Sequence, residues 1–176
     1  MKIESKPTTG VIPCPVILLS VEGGLKPNII TLSWVANVCS KPPSVAVGIR
    51  PERYSYDLVK EAGNFVLNIP AEEQFEAAKL CGTKSGRDID KFAECGFHAV
   101  PSSKISSPLI EECPINLECE VREVISPGVH DLFIAEVVAF HMDESVTENG
   151  RFDPQKMKAF TYLPLAGQYW SLGERM

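Results

Sequence analysis

An antiparallel, mainly β (α+β) fold with a few covering helices is what this chain predicts, and three observations predict it. Residues 115–122 alternate: Ile115, Leu117, Cys119 and Val121 share one face, and Asn116, Glu118, Glu120 and Arg122 the other, the period of a half-buried strand. Apolar runs of strand length recur at 16–21, 28–35, 45–49, 65–69, 132–141 and 160–163, punctuated by proline and glycine. The helical patterns cluster mid-chain instead of alternating with strands. A parallel βαβ sheet does not fit that order; an antiparallel barrel does.

In chain order, Cys14-Pro15 leads into the first strand, 16–21, and Glu22-Gly23-Gly24 makes a hairpin-type turn. The second strand, 28–35, is rich in Ile, Thr and Trp. A Cys-Ser-Lys-Pro-Pro turn at 39–43 interrupts backbone pairing before the third, 45–49. Ser55 is placed to cap a helix, with Asp57 in its first turn, Leu58, Val59 and Ala62 on one face and Gly63 just beyond its end. After the strand at 65–69, Pro70 opens a helix over 71–80 with Phe75 and Ala78 inward. Asp88 is expected to cap a short helix that faces Ile89, Phe92 and Ala93 inward and stops at Gly96. Residues 98–110 read as irregular connection with a weak strand. A turn at 126–131 precedes the long strand 132–141. A polar excursion at 143–158, a last strand at 160–163 and an aromatic tail at 168–173 complete the chain, read as one domain over 1–176.

Composition sets outer limits. The 176 residues are 44% hydrophobic and 23% charged, with net charge −6, ordinary for a soluble globular domain. That charge argues against broad nucleic-acid or anionic-membrane binding. No apolar run is long enough to span a bilayer as a helix, and the N-terminal residues lack an apolar signal core. The six cysteines form no C-x-x-C pair and no clustered histidine supplies metal spacing, so free thiols, no metal and a cytoplasmic setting are expected.

Two stretches concentrate groups able to hold a phosphate. Arg50, Arg53, Tyr54 and Ser55 fall at a turn entering a helix, where free N–H groups and the helix dipole favour an anion. Ser85, Gly86, Arg87 and Lys91 form a second such loop. An ordinary capped helix with solvated arginines, and an ordinary surface loop, account for the same residues equally well. Thr31, Ser33 and Trp34 lie on a strand whose end can meet the edge of a flat heterocycle, or simply pack in a core. His130, after Pro127-Gly128, is either an exposed turn residue or a proton donor near neutral pH.

Taken together, the segments 28–34, 39–50, 53–55, 64–70, 81–92, 112–121, 130–138 and 169–174 resemble, in order, the flavin reductase-like, FMN-binding split-barrel family, most of all its flavoredoxin branch. The resemblance implies a Greek-key split β-barrel, a homodimer, and FMN held without a covalent bond. It implies that Thr31, Leu32, Ser33 and Trp34, with Cys39 and Ser40, line the isoalloxazine, and that Asn28 also binds the cofactor. It implies that Arg50, Arg53, Tyr54, Ser55, Ser85, Gly86 and Lys91 approach the ribityl phosphate. His130 is the catalytic candidate; where reductases of the family often carry Gly-Asp-His, this chain has Gly128-Val129-His130. The implied activity is electron or hydride transfer through FMN, from NAD(P)H or from a redox partner protein as in an electron carrier. A cofactor-free barrel acting as an interaction module is the plainest other reading.

Overall fold

In a computed structural model, residues 1–175 are described. Among these described residues, fourteen strands and four α-helices occur. β1 is Cys14–Pro15, β2 Ile17–Val21, β3 Asn28–Leu32, β4 Val35–Ser40 and β5 Pro43–Ile49; then come α1 Tyr54–Ala62 and β6 Asn64–Ile69. α2 is Phe75–Thr83 and α3 Lys91–Cys95; β7 is Ala99–Val100, β8 Leu109–Ile110, β9 Ile115–Ile125 and β10 Asp131–Met142. The excursion holds β11 Thr147–Glu148, β12 Arg151–Phe152 and α4 Pro154–Met157, before β13 Phe160–Leu163 and β14 Gln168–Ser171.

Seven strands form one antiparallel sheet in the order β3-β2-β6-β9-β10-β5-β4. The sheet curls until β3 and β5 come into contact, giving a half-barrel. Its alternation builds two cores. Ile17, Leu19, Val21, Val47, Phe65 and Phe133 point inward beneath α1. Leu18 and Ile29 point the other way, against Ala78 and Cys81 of α2, Phe92 of α3 and Phe160 of β13. The strand at 16–21 is apolar except at Ser20, which is itself buried, because both of its faces are covered. Among the described residues no helix is long and apolar enough to cross a membrane.

Four expectations need correction. The run 28–35 is two strands: β3 pairs with β2, the chain turns a corner at Ser33-Trp34, and β4 pairs with β5. Residues 39–40 are therefore the end of β4, and the hairpin turn is shorter than expected. Ser55 is not the cap of α1: Arg53 occupies that position, and Ser55 is buried in the first turn. The cap of α3 is Asp90, whose Oδ1 accepts from Ala93 N at 3.2 Å; Ala93 is exposed, and Lys91 takes the inner face instead. Finally, Asn116 and Glu118 do not face solvent. Residues 102–110 fold over them, and Glu118 is fully buried. Its carboxylate accepts from Ser103 N (2.7 Å), Ser103 Oγ (2.9 Å) and Lys104 N (2.7 Å), with His141 Nε2 at 2.7 Å.

Candidate functional site

A cavity of about 370 Å³ opens where β3, the corner at 33–34, the entry to α1 and the loop 82–91 converge, a size within the roughly 300–1,000 Å³ typical of small-molecule sites. Asn28, Thr31, Leu32, Ser33, Trp34, Arg50, Arg53, Tyr54, Ser55, Ser85, Gly86, Lys91 and His130 all line it. Segments separated by tens of residues are thus brought to one place. Cys39 and Ser40 are not among its lining; they lie exposed on β4, at the sheet edge. Sequence reasoning passed over Gly48, Glu52, Gly82 and Lys84, which also line it. Lys84 sits inside the loop already singled out. Gly48 carries no signal in sequence: its N–H donates to Trp34 O at 2.8 Å, a contact that exists only once the corner has formed.

The wall is strongly basic. Arg50, Arg53, Lys84, Arg87 and Lys91 face Glu52 as the lone carboxylate, in a chain of net charge −6. Arg50 is tethered to Glu52 at 2.6 Å, yet its Nε is buried with no hydrogen-bond partner. Such a group costs on the order of 1–3 kcal/mol unless something accepts from it. Lys91, only 4% exposed, donates to the carbonyls of Ile29 and Cys81, each at 2.7 Å. An ammonium has three donors, and Lys91 pairs with no carboxylate in the described ion pairs. Burial lowers its pKa, the signature of a cation held without a counter-charge. The first N–H groups of α1 add to this field, since a helix start has no preceding turn to accept them.

The loop closes by contact of unusual tightness. A Cβ at Gly86 would sit 2.0 Å from Asn28 Oδ1 and 2.9 Å from the Tyr54 ring, so only glycine admits the loop here. Asn28 Nδ2 donates to Ser55 Oγ at 2.7 Å, and the Arg87 guanidinium lies over the Tyr54 ring at 5.2 Å. Thr31 Oγ1 donates to Ala78 O at 2.7 Å, which ties β3 to α2 and leaves this hydroxyl only its lone pairs to offer.

At the other end the Trp34 and His130 rings stack, centroids 4.4 Å apart and planes 13° from parallel. Burial, then the charges of Arg50 and Arg53, hold the His130 pKa below its ordinary value, so the imidazole is neutral at neutral pH. Trp34 and His130 also line a second cavity of about 710 Å³, together with residues 8–11 and 13–15, Val35, Ala36 and Leu132 and, among the described residues, no lysine or arginine. Outside both cavities, His98 groups with Glu111 and Glu112 at the surface, but Glu112 already accepts from the His98 backbone and faces its ring.

One end cationic with unmet donors, the other aromatic and uncharged, the arrangement suits an elongated ligand with a phosphate at one tip and a flat ring at the other. The match to known proteins agrees. Residues 9–164 match the flavin reductase like domain. The flavoredoxin of Desulfovibrio vulgaris (Miyazaki F) superposes with a TM-score of 0.94 at 31% identity, covering 100% of this chain and 96% of that one. An uncharacterized protein of Archaeoglobus fulgidus is 37% identical over 120 residues, 68% of each chain. The NADH-dependent FMN reductase RutF of Pseudomonas syringae is 29% identical over 108 residues, 61% of this chain and 58% of that one. On the span of that match and on the split half-barrel that carries it, the chain belongs to the flavin reductase-like domain family.

Proposed function

We propose that this protein binds FMN in the basic cavity and serves as an oxidoreductase through it. The observation that carries this is the excess of cations, five against one carboxylate, around the unmet Arg50 Nε donor in an acidic chain. Bound FMN would supply acceptance and delivery of a hydride or of single electrons at its ring. The protein's residues do the rest. Arg50, Arg53 and the start of α1, with Ser85 and Lys91, hold the phosphate. Gly86 lets the loop close over Asn28 and Ser55. The corner 31–34 meets the ring edge with backbone groups, and Trp34 and His130 screen one ring face from water. Neutral His130, with one ring nitrogen still able to donate, is positioned to orient whatever reacts there.

The donor has two readings. NAD(P)H-dependent reductase activity is supported by the relationship to the FMN reductase of P. syringae. A carrier reduced by a partner protein is supported by the likeness to flavoredoxin and by the second cavity, which offers no cation for a dinucleotide's phosphates. Anaerobic mixing of the FMN-loaded protein with NADH and NADPH decides: bleaching within seconds establishes the reductase, and bleaching only with a reduced partner protein establishes the carrier. Protein that stays colourless near about 450 nm after incubation with FMN and removal of unbound flavin overturns both. We also expect a homodimer, because Val38 on the edge strand β4 and Phe140 on β10 expose large apolar side chains; a monomeric mass in solution would remove that expectation.

A further inference from the structure

Two thiols flank the anion loop, and neither sulfur has a role in the function just described, although Cys81 itself lines the basic cavity. Sγ of Cys81, in the last turn of α2, and Sγ of Cys95, the last residue of α3, are 3.6 Å apart. They are in contact, and about 1.5 Å of approach separates them from a bond of roughly 2.05 Å. Their surroundings differ. Cys81 is 1% exposed, whereas Cys95 is reachable from solvent. Cys95 also sits where the chain can yield, at the end of a five-residue helix followed by a glycine.

The position of the pair gives the contact its meaning. Residues 81–95 span the whole anion loop, with Ser85, Gly86, Arg87 and Lys91 between the two sulfurs. Cys81 presents its sulfur to Cys95 and its carbonyl to the Lys91 ammonium. A bond between the sulfurs would therefore brace both ends of the segment that closes the basic cavity.

We propose that Cys81 and Cys95 are a redox-active pair, joined to a disulfide by a hydroperoxide, and that the joined form restrains the loop 84–90. The accessible Cys95 reacts first. Its sulfur attacks one peroxide oxygen, the O–O bond breaks, and a sulfenic acid forms as water leaves with the thiol proton. The Cys81 thiol then attacks that sulfur; the S–S bond forms, the S–O bond breaks and a second water leaves. Two thiols lose two electrons and two protons, and one hydrogen peroxide becomes two waters. Burial raises both thiols, but the Cys81 S–H and the Lys91 charge oppose that rise at Cys95, which favours the same order of events.

The pairing is tested by treating the full-length protein with hydrogen peroxide, alkylating it unfolded and mapping its peptides. Of the six thiols, two are expected to escape alkylation, in a cross-linked peptide joining Cys81 to Cys95 that dithiothreitol releases. Six alkylated thiols, a sulfinic acid at Cys95 without a cross-link, or a bond from Cys81 to Cys113 would overturn the pairing. Cys113→Ser must keep the cross-link and Cys95→Ser must abolish it; if Cys95→Ser does not fold, the wild-type map alone decides. The restraint is read by amide hydrogen exchange of residues 84–90, expected to slow severalfold on oxidation. Unchanged or faster exchange there overturns it. Neither readout needs bound flavin, so a failure of FMN binding would be seen separately.

Discussion

Two of the polar regions buried in this molecule differ in whether their hydrogen bonds close. Around Asn68, Asn116 and Glu118 the donors and acceptors find one another. Asn68 Nδ2 donates to Leu18 O and Ser20 Oγ, both at 2.8 Å, while Asn68 Oδ1 accepts from Ile110 N at 3.0 Å and Asn116 Nδ2 at 2.9 Å. Glu118 is met by the loop at 103–104 and by His141. Around Arg50, Arg53 and Lys91 the bonds do not close: an arginine Nε has no acceptor and a buried ammonium has carbonyls but no carboxylate. A closed network is a structural fastening. An open one of mostly positive sign is suited to hold an anion.

Breaking the closed region carries the largest expected effect. Glu118→Ala strands two backbone N–H groups and a hydroxyl, and should cost roughly 3 kcal/mol in urea unfolding, while the folded protein binds FMN as before. A loss below about 1 kcal/mol would show that the network does not hold the 102–110 segment. The same carboxyl gives a pH test. Burial raises its pKa, but the hydrogen bonds from Ser103, His141 and Lys104 outweigh this and leave it below the ordinary carboxylate value of 4.5. Its stabilisation is therefore complete above pH 4.5 and is lost as pH falls through the lower folded value. Glu118→Gln should flatten the acid limb of the stability profile.

The open region answers in binding. Gly86→Ala drives a Cβ into Asn28, and overpacking of this kind costs about 2 kcal/mol, or roughly thirtyfold in FMN affinity. Arg53→Ala should weaken FMN about tenfold or more and riboflavin far less, as fits a lost charge-assisted contact to phosphate. Equal weakening of both, by fluorescence titration, would take Arg53 away from the phosphate.

Lys91 of the open region is both fastening and cavity wall, since it donates to two carbonyls and lines the cavity. As a charge at the loop surface it would have lost its hold on FMN as salt rose. Buried, it is little screened. Lys91→Ala should lower stability and FMN affinity together, leaving the salt dependence of binding like that of the wild type, whereas Arg53→Ala should reduce it. The smallest effect is at His130, whose pKa is low partly because of Arg50 and Arg53. A bound phosphate offsets those charges, so the pKa should rise on FMN binding. By linkage, FMN then binds more tightly as pH falls between the bound and free values. An NMR titration of the imidazole reads this directly, and an unchanged pKa would detach His130 from the anion site.

How much of this the sequence disclosed depends on where the cause lies. Ile115, Leu117 and Cys119 were legible as one inner face because the pleat is local. Asn116 and Glu118 were misread as solvent-facing because their cover comes from residues 102–110, a segment without periodicity. The corner at Ser33-Trp34 was invisible because it carries no glycine or proline and β-favouring residues flank it on both sides while the pairing partner changes from β2 to β5. Arg50–Ser55 and Ser85–Lys91 could be recognised by residue type as able to hold a phosphate. That Lys91 also fastens β3 to α2 through two carbonyls leaves no trace in the order of residues.

The near-collision of Gly86 with Asn28, beside the bond from Asn28 to Ser55, has a kinetic consequence. Three stretches far apart in the chain must arrive before the cavity has walls, and each loop closed to bring them costs entropy before any contact repays it. The cavity should therefore be among the last parts of the molecule to assemble. During refolding, the strand signal in circular dichroism should recover ahead of the capacity to capture flavin, and flavin added early should change the yield of native protein more than the speed at which it forms.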